Sequence, residues 1–261
     1  MPDNIFPILS TESINDILWI LSSEFNKATH NVYQRCFEKE QSSEGDRGVS
    51  KELMAEGWSE EWARSIYVQT FDFVNLTKKD FENQLAVARV EYQDAKEKMD
   101  YLLEHRTKLS GKAVWEQKIT LDRITSKKSK LEKMEVDGKY PITFGGRELF
   151  NSQHSLEENG YQNKTQWELE WFVARHKRFL LSDLSSEGKL TKTLKIQSSD
   201  SDNSLELLLP SFLAPFNNAR DWLTLPLETK IQTKVLGDNL DRVEFCYNME
   251  QSNWQVQLRF K

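Results

Sequence analysis

Cysteine is nearly absent from this chain. Its two cysteines, Cys36 and Cys246, lie far apart and form neither a CxxC pair nor a zinc-ligand spacing. They read as incidental or buried thiols of a reducing compartment. Histidine is scarce too: His30, His105, His154 and His176 are scattered and make no metal-binding or acid–base constellation. No run approaches the ~20 consecutive apolar residues of a membrane span. The first residues, Met1 to Phe6, lack the basic and apolar stretches of a signal peptide, so a cytoplasmic location is expected. There is no GxSxG, no phosphate-binding P-loop, no HExxH and no GxGxxG after a strand. The expectation is a chain without catalytic residues, metal or cofactor of its own.

What the chain does have is charge. Charged residues make up 29%, apolar residues 38%, and the formal net charge is −6. Nucleic-acid binders are usually basic, so the sum argues against that class. The distribution matters more. Acidic residues dominate from Glu38 to Glu61, and basic residues dominate from Arg106 to Lys133. Lys127, Lys128, Lys130 and Lys133 fall within two helical turns. They suit either a phosphate contact or a solvated helix face.

The hydrophobic period divides the chain. Asn4 to Leu9 suggests a short strand, with Pro7 confined to an edge. Ser10 to Ser13 reads as a helix start. Ile14, Ile17, Leu18, Leu21, Phe25, Ala28, Val32 and Phe37 follow at helical spacing. Gln41 to Gly48 reads as a polar loop, and Lys51 to Glu56 as a short helix stopped by Gly57. Ser59 can cap a helix over Glu60 to Val74. A second start at Thr77 precedes Phe81, Leu85, Ala88, Tyr92, Ala95, Met99 and Leu102, spaced alternately by four and three, a heptad seam. Ser110-Gly111 breaks it, and Ala113 to Glu135 forms a returning helix. The pair predicts an antiparallel hairpin over 77–135. Thr165 to Leu181 reads as a helix carrying Trp167, Trp171 and Ala174 on one face. Beyond it the period becomes two. Leu190 to Gln197 and Leu205 to Leu209 predict one hairpin, and Asp221 to Leu227 a further strand. Val243, Phe245 and Tyr247 with Trp254, Val256, Leu258 and Phe260 predict a closing hairpin.

The change of period falls at Phe144 to Leu181, the most informative stretch. It joins Gly145-Gly146, Arg147 and a Trp-bearing helix ending in Arg175, His176, Lys177 and Arg178. Gly145-Gly146 alone is usually a turn. Trp167 and Trp171 suit a core, and the terminal basic residues suit the helix dipole.

Read in order, the motifs resemble the N-terminal half of TnpB-related proteins, the RNA-guided nuclease family of small insertion sequences. They are the Phe144-Gly145-Gly146-Arg147-Glu148-Leu149-Phe150 segment with Gln153, then Leu156-Glu157-Glu158-Asn159-Gly160-Tyr161. The Trp167-to-Trp171 helix with Ala174-Arg175 and Phe179 follows. Leu181 to Glu187 departs from the family's Gly-Ser-Lys-Asp-Glu. The resemblance implies an α+β fold: a small wedge-like β-barrel interrupted by a helical recognition domain with a long antiparallel hairpin. It assigns 1–10 to the first wedge strand, 11–140 to the helical domain and 141–261 to the remaining strands. It implies guide RNA and target DNA as partners, bound through Lys127, Lys128, Lys130, Lys133, Arg147, Arg175, Lys177 and Arg178. Arg147 would approach a phosphate beside the bare glycines. The RuvC-like domain and its zinc ribbon are expected to be absent. Three readings stay open: a nucleic-acid-binding portion without cleavage of its own, an interaction module pairing with a separately encoded RuvC-like subunit, and a decayed transposon remnant.

Overall fold

A computed structural model describes residues 4–35, 45–105, 111–138, 143–182, 193–198, 203–228 and 240–260. Cys36, Phe37, the loop start 41–44, Ser110, most of 181–187, Leu190 and the hairpin loop 199–202 lie outside these residues. The described chain is α+β, with six α-helices, one 3-10 helix and two antiparallel sheets. It divides into two compact units. One joins Met1–Phe71 to Thr143–Lys261, and the other is Asp72–Ile142.

The first unit begins with β1 (Asn4–Pro7) and α1 (Glu12–Tyr33). Thr11 caps α1: its hydroxyl accepts from the Ile14 N–H at 3.3 Å, while Glu12 meets the positive end of the helix. The predicted face is the buried one, with Ile17, Leu18, Leu21, Phe25, Ala28 and Val32 inside. α2 (Gly45–Ala55) starts earlier than expected and takes up Gly45 to Gly48 from the predicted loop. It stops where Gly57 takes φ +97°, a conformation that L side chains rarely adopt.

α3 runs unbroken from Glu60 to Glu104. The expected stop near Val74 is not there. Thr77 resembles a cap, but no proline or glycine interrupts the stretch, and a capping residue alone does not end a helix. α5 (Arg147–Ser152) and α6 (Lys164–His176) follow the second unit. The expected helix through Leu181 ends at His176, and Arg178–Ser182 is strand β2. Its burial explains the switch: Phe179, Leu180 and Leu181 are all inside, so both faces of the segment are covered.

The remaining strands are β3 (Leu194–Ser198), β4 (Asn203–Leu208), β5 (Trp222–Pro226), β6 (Leu240–Asn248) and β7 (Asn253–Phe260). One sheet has the order β1-β7-β6-β2 and the other β3-β4-β5. Both predicted hairpins are present. Pro7 lies in the edge strand of its sheet, as its missing N–H requires. A bridge between Ile8 and Leu227, with Leu9 N–H donating to the Pro226 carbonyl at 2.8 Å, links the sheets. Among the described residues β2 and β3 remain outer strands, so the array does not close into a barrel.

One core serves both sheets and the helices against them. Trp62, Trp254, Phe25, Phe179 and Phe245 are its largest fully buried side chains. Phe179 and Phe245 face each other across β2 and β6, with centroids 4.7 Å apart and planes at 7°. A polar seam sets the register of helices on β2. Asn26 Nδ2 donates to the Arg178 carbonyl at 3.0 Å, Gln69 Nε2 donates to Asn26 Oδ1 at 3.2 Å, and Ser182 N–H donates to Ser65 Oγ at 3.1 Å. The donors of this seam can be buried because each finds an acceptor.

The second unit is the helical hairpin of the distal α3 and α4 (Gly111–Val136). Phe81, Leu85, Ala88 and Ala95 of the heptad seam are buried, and Tyr92, Met99 and Leu102 are half-buried. Gln117 Nε2 donates to the Ala95 carbonyl at 3.0 Å, and Arg89 Nη2 reaches Glu135 at 3.1 Å. Late residues of one arm thus meet early residues of the other, as an antiparallel pair requires.

Candidate nucleic-acid interface

The motif-bearing stretch folds as one interlocked piece. Phe144 packs edge-on against His30, centroids 5.0 Å apart. Gly145 takes φ +92°, and a Cβ there would lie 2.8 Å from Arg175 Cγ and 3.1 Å from Trp171 Cζ3. The first glycine is therefore required by the approach of α6. The Trp171 and Arg175 side chains fill the space where a Gly145 side chain would stand. Gly146, at φ +98°, has nothing within 4 Å of its Cβ position and leads into α5, where Arg147 is exposed.

Aromatic rings hold α5 on α6. Trp167 stacks on Trp171 with centroids 5.7 Å apart and planes at 13°, and Phe150 sits 5.5 Å from Trp171. Trp167 Nε1 donates to the Leu149 carbonyl at 2.7 Å, so its indole is satisfied. The Arg175 guanidinium lies 5.8 Å from the Trp171 ring centre. Gln153 ends α5, its amide donating to the Phe150 carbonyl at 2.7 Å.

The Leu156-to-Tyr161 motif is a turn with a physical reason for each end. Gly160 N–H donates to the Glu157 carbonyl at 3.0 Å, and Tyr161 N–H donates to the Leu156 carbonyl at 2.9 Å. This is the hydrogen-bond pair of a Schellman motif, and it needs the φ of +81° that Gly160 supplies. Desolvation, then the neighbouring Glu170 carboxylate, raises the Tyr161 hydroxyl above its ordinary value. Asn163 caps α6 by accepting from the Gln166 N–H at 2.9 Å, while Gln166 Oε1 accepts from the Gln162 N–H at 2.9 Å.

At the end of α6, His176 is buried. Its Nδ1–H donates to the Phe172 carbonyl at 2.8 Å, which sets the tautomer, and burial pulls its pKa down. Lys177 is exposed, and Arg178 pairs with Glu244 across the β2–β6 ladder. The structure thus brings Phe144, Gly145, Gly146, Phe150, Trp167, Trp171 and Arg175 together, with Gln153, Gly160 and Tyr161 in the adjoining turn. Lys177 and Arg178 lead into the sheet.

Lys127, Lys128, Lys130 and Lys133 belong to the other unit, on α4. Basic residues dominate α4 and acidic residues dominate the facing stretch Asp72 to Glu104, so part of this charge is answered within the hairpin. Lys127 Nζ is 3.0 Å from Glu91, and Lys128 Nζ is 3.3 Å from Glu132 and 4.6 Å from the centre of the Tyr92 ring. Lys130 and Lys133 are exposed.

The sequence reading missed the surroundings of Glu244. Its side chain is 2% exposed, and three arginines meet it: Arg178, Arg259 at 3.5 Å and Arg242 at 3.9 Å. The available signal was the polar half of the alternation in β6 and β7, which places Arg242 and Glu244 on the face opposite Val243 and Phe245. Burial pushes the neighbouring Cys246 thiol up. Among the described residues no group of His, Cys, Asp and Glu could hold a metal, and no helix is long and apolar enough to cross a membrane. The sequence matches no protein-family model and no curated protein.

Proposed function

We propose that this chain is the nucleic-acid-binding portion of a TnpB-like RNA-guided effector. In this reading the two sheets belong to a wedge-like domain of 1–10 and 141–261, the helices within 11–140 form the recognition segment, and guide RNA and target DNA are the partners. One observation carries it. β1 pairs with β7, Phe6 opposite Val256, across an interval in which, among the described residues, every regular element before β2 is a helix. A β-domain interrupted by a helical segment is the arrangement that the Phe144-to-Phe179 motifs imply. In RNA-guided recognition, base pairing reads sequence, and the protein supplies a basic surface and shape. No step of catalysis is assigned to these residues.

A second reading has its own support. Val87, Val90, Trp115 and Ile119 of the hairpin are exposed, with Trp115 at 63%. A separately encoded RuvC-like subunit could cover them. Purification of the intact chain at low salt separates the readings. The first expects co-purifying, RNase-sensitive RNA and binding that weakens steeply with salt. No RNA and no mobility shift at low salt would sink it. Capture of the partner subunit that survives high salt and Lys127→Ala, Lys128→Ala, Lys130→Ala favours the second.

A further inference from the structure

We infer that the groove between the start of α1 and the 3-10 helix Ser211–Asn217 is a docking site for a partner protein. Its occupant is an amphipathic helical segment whose apolar side chains are flanked by lysine or arginine. The inference goes beyond the nucleic-acid reading and does not rest on it. The groove is open to solvent, has a volume of about 550 Å³ and belongs wholly to the strand-bearing unit. Ile17, Trp19, Ile20 and Phe216 give its apolar lining, and the exposed Glu12 and Asp16 add two carboxylates. Single exposed apolar residues are ordinary. Phe216, however, is 60% exposed and shares one hollow with Trp19 and Ile20, and apolar surface edged by polar groups marks an interaction site.

The lining is fixed before any partner arrives. Ile17 belongs to the core, and the Trp19 ring lies 4.8 Å from Tyr247 and 5.2 Å from the buried Trp254. Phe216 follows Pro215 in a 3-10 helix whose Leu213 is fully buried. Next to it, Asn217 Nδ2 donates to the Trp222 carbonyl at 2.9 Å. Side chains held this way lose little freedom on binding. The apolar surface continues beyond the groove. The Phe172 ring, 45% exposed, lies 6.1 Å from Trp19, and Leu169 precedes it on α6 at 64% exposed. An amphipathic helix meets such a surface with side chains one and two turns apart.

Charge decides which occupant fits. Glu12 and Asp16 stand at i and i+4 on one face of α1, and like charges at that spacing repel. The helix dipole favours Glu12 but falls off within the first turn, so Asp16 gains less from it. Among the described residues no lysine or arginine lines the groove, and neither carboxylate forms an ion pair. A lysine or arginine seated between them relieves the repulsion while a neighbouring apolar side chain enters beside Trp19 and Phe216. The same carboxylates repel phosphodiesters and anionic lipid headgroups, so neither a nucleic acid nor a membrane suits this surface.

The test uses the whole chain and two fluorescein-labelled helical peptides. Each carries Phe and Leu on one face, flanked by lysines in one peptide and by glutamates in the other. The lysine peptide should bind at least about tenfold more tightly than the glutamate peptide. Phe216→Ser should weaken that binding at least about tenfold, as loss of an interface anchor does. Glu12→Gln with Asp16→Gln should weaken it about three- to tenfold and flatten its salt dependence. Ile119→Ser removes a comparable exposed side chain from the hairpin and should change affinity less than about twofold. If Phe216→Ser does not fold, Asp16→Lys, a change at an exposed position, carries the test by shifting the preference toward the glutamate peptide. No binding of the lysine peptide, equal loss from Ile119→Ser, or an unshifted preference in Asp16→Lys would overturn the site. Oligouridylate RNA binding that falls as far as peptide binding in Phe216→Ser would assign the groove to nucleic acid instead and overturn it. Dimerisation that Phe216→Ser abolishes, without peptide binding, would assign it to a second copy and overturn it as well. Peptide binding by a chain that binds no RNA would sustain the site while the proposed function falls.

Discussion

The strand-bearing unit buries Trp62, Trp254, Phe25, Phe179 and Phe245 completely, whereas the described residues of the hairpin bury Phe81, Leu85, Ala88 and Ala95 along one seam. Outside that seam the hairpin's arms meet through side chains that stay half in water. Lys127 reaches Glu91, and Arg89 reaches Glu132 and Glu135. The strand-bearing unit uses polar groups differently. Asn26, Ser65 and Gln69 are buried, and each bonds to another buried or backbone group. Packing dominates the first unit, while charge complementarity carries a larger share of the second. Mutation can separate these two modes, because they differ in size and in response to salt.

The largest effect belongs to the aromatic core. Trp62→Ala removes a fully buried indole and orphans the Leu208 carbonyl that accepts from its Nε1 at 2.9 Å. The expected cost is about 3–5 kcal/mol, read from urea unfolding. Leu85→Ala makes the matching change in the hairpin seam, at 1% exposure. It should cost about 2 kcal/mol, the low end for such a change, because a two-helix seam has solvent close by and can collapse. Equal costs at the two sites would break the comparison.

The next effect lies at the junction. Gly145→Ala must place a methyl 2.8 Å from Arg175 Cγ and 3.1 Å from Trp171 Cζ3 at φ +92°. Backbone strain alone is worth about 1–2 kcal/mol, and displacement of Trp171 adds to it. Gly146→Ala carries backbone strain without a collision. Both should lower stability, but only Gly145→Ala should change the near-ultraviolet signal of the Trp167–Trp171 stack. An unchanged signal would show that α6 does not depend on the bare glycine.

Much of this architecture was legible where one period runs long enough. The seam from Phe81 to Leu102 repeats without fault, and Val243 to Phe260 alternates with one face apolar, so the hairpin and the last two strands follow directly. Legibility fails where the deciding contact is remote. Arg178 to Leu181 continues a helical pattern, and only its pairing with β6 and its cover by Asn26 and Ser65 make it a strand. The continuity of α3 was hidden by a cap-like Thr77 that nothing nearby reinforces. α5 and the 3-10 helix at Ser211–Asn217 are too short for any period to show. The arginines around Glu244 are separated by up to 81 residues, from Arg178 to Arg259, and only the register of three strands brings them together. The Gly145 requirement is of the same kind: the pair of glycines reads as a turn, and the side chains that exclude a Cβ lie on another helix.

The smallest effect tests the charged half of the comparison. Arg89 is 50% exposed and Glu135 42% exposed, so water and salt screen their attraction. A double-mutant cycle with Arg89→Ala and Glu135→Ala should give a coupling of about 0.2–1 kcal/mol, shrinking toward zero at about 1 M salt. The network makes the upper part of that range reasonable, because Arg89 also lies 3.6 Å from Glu132, which in turn faces Lys128 at 3.3 Å. The Arg178–Glu244 contact should respond differently. Its carboxylate is shielded from solvent ions, so removing Arg178 leaves a buried charge leaning on Arg242 and Arg259, and the loss should persist at high salt. If the hairpin coupling resisted salt as well, charge complementarity would not be what distinguishes the two units. The seam from Phe81 to Ala95 would then have to account for the hairpin by packing alone.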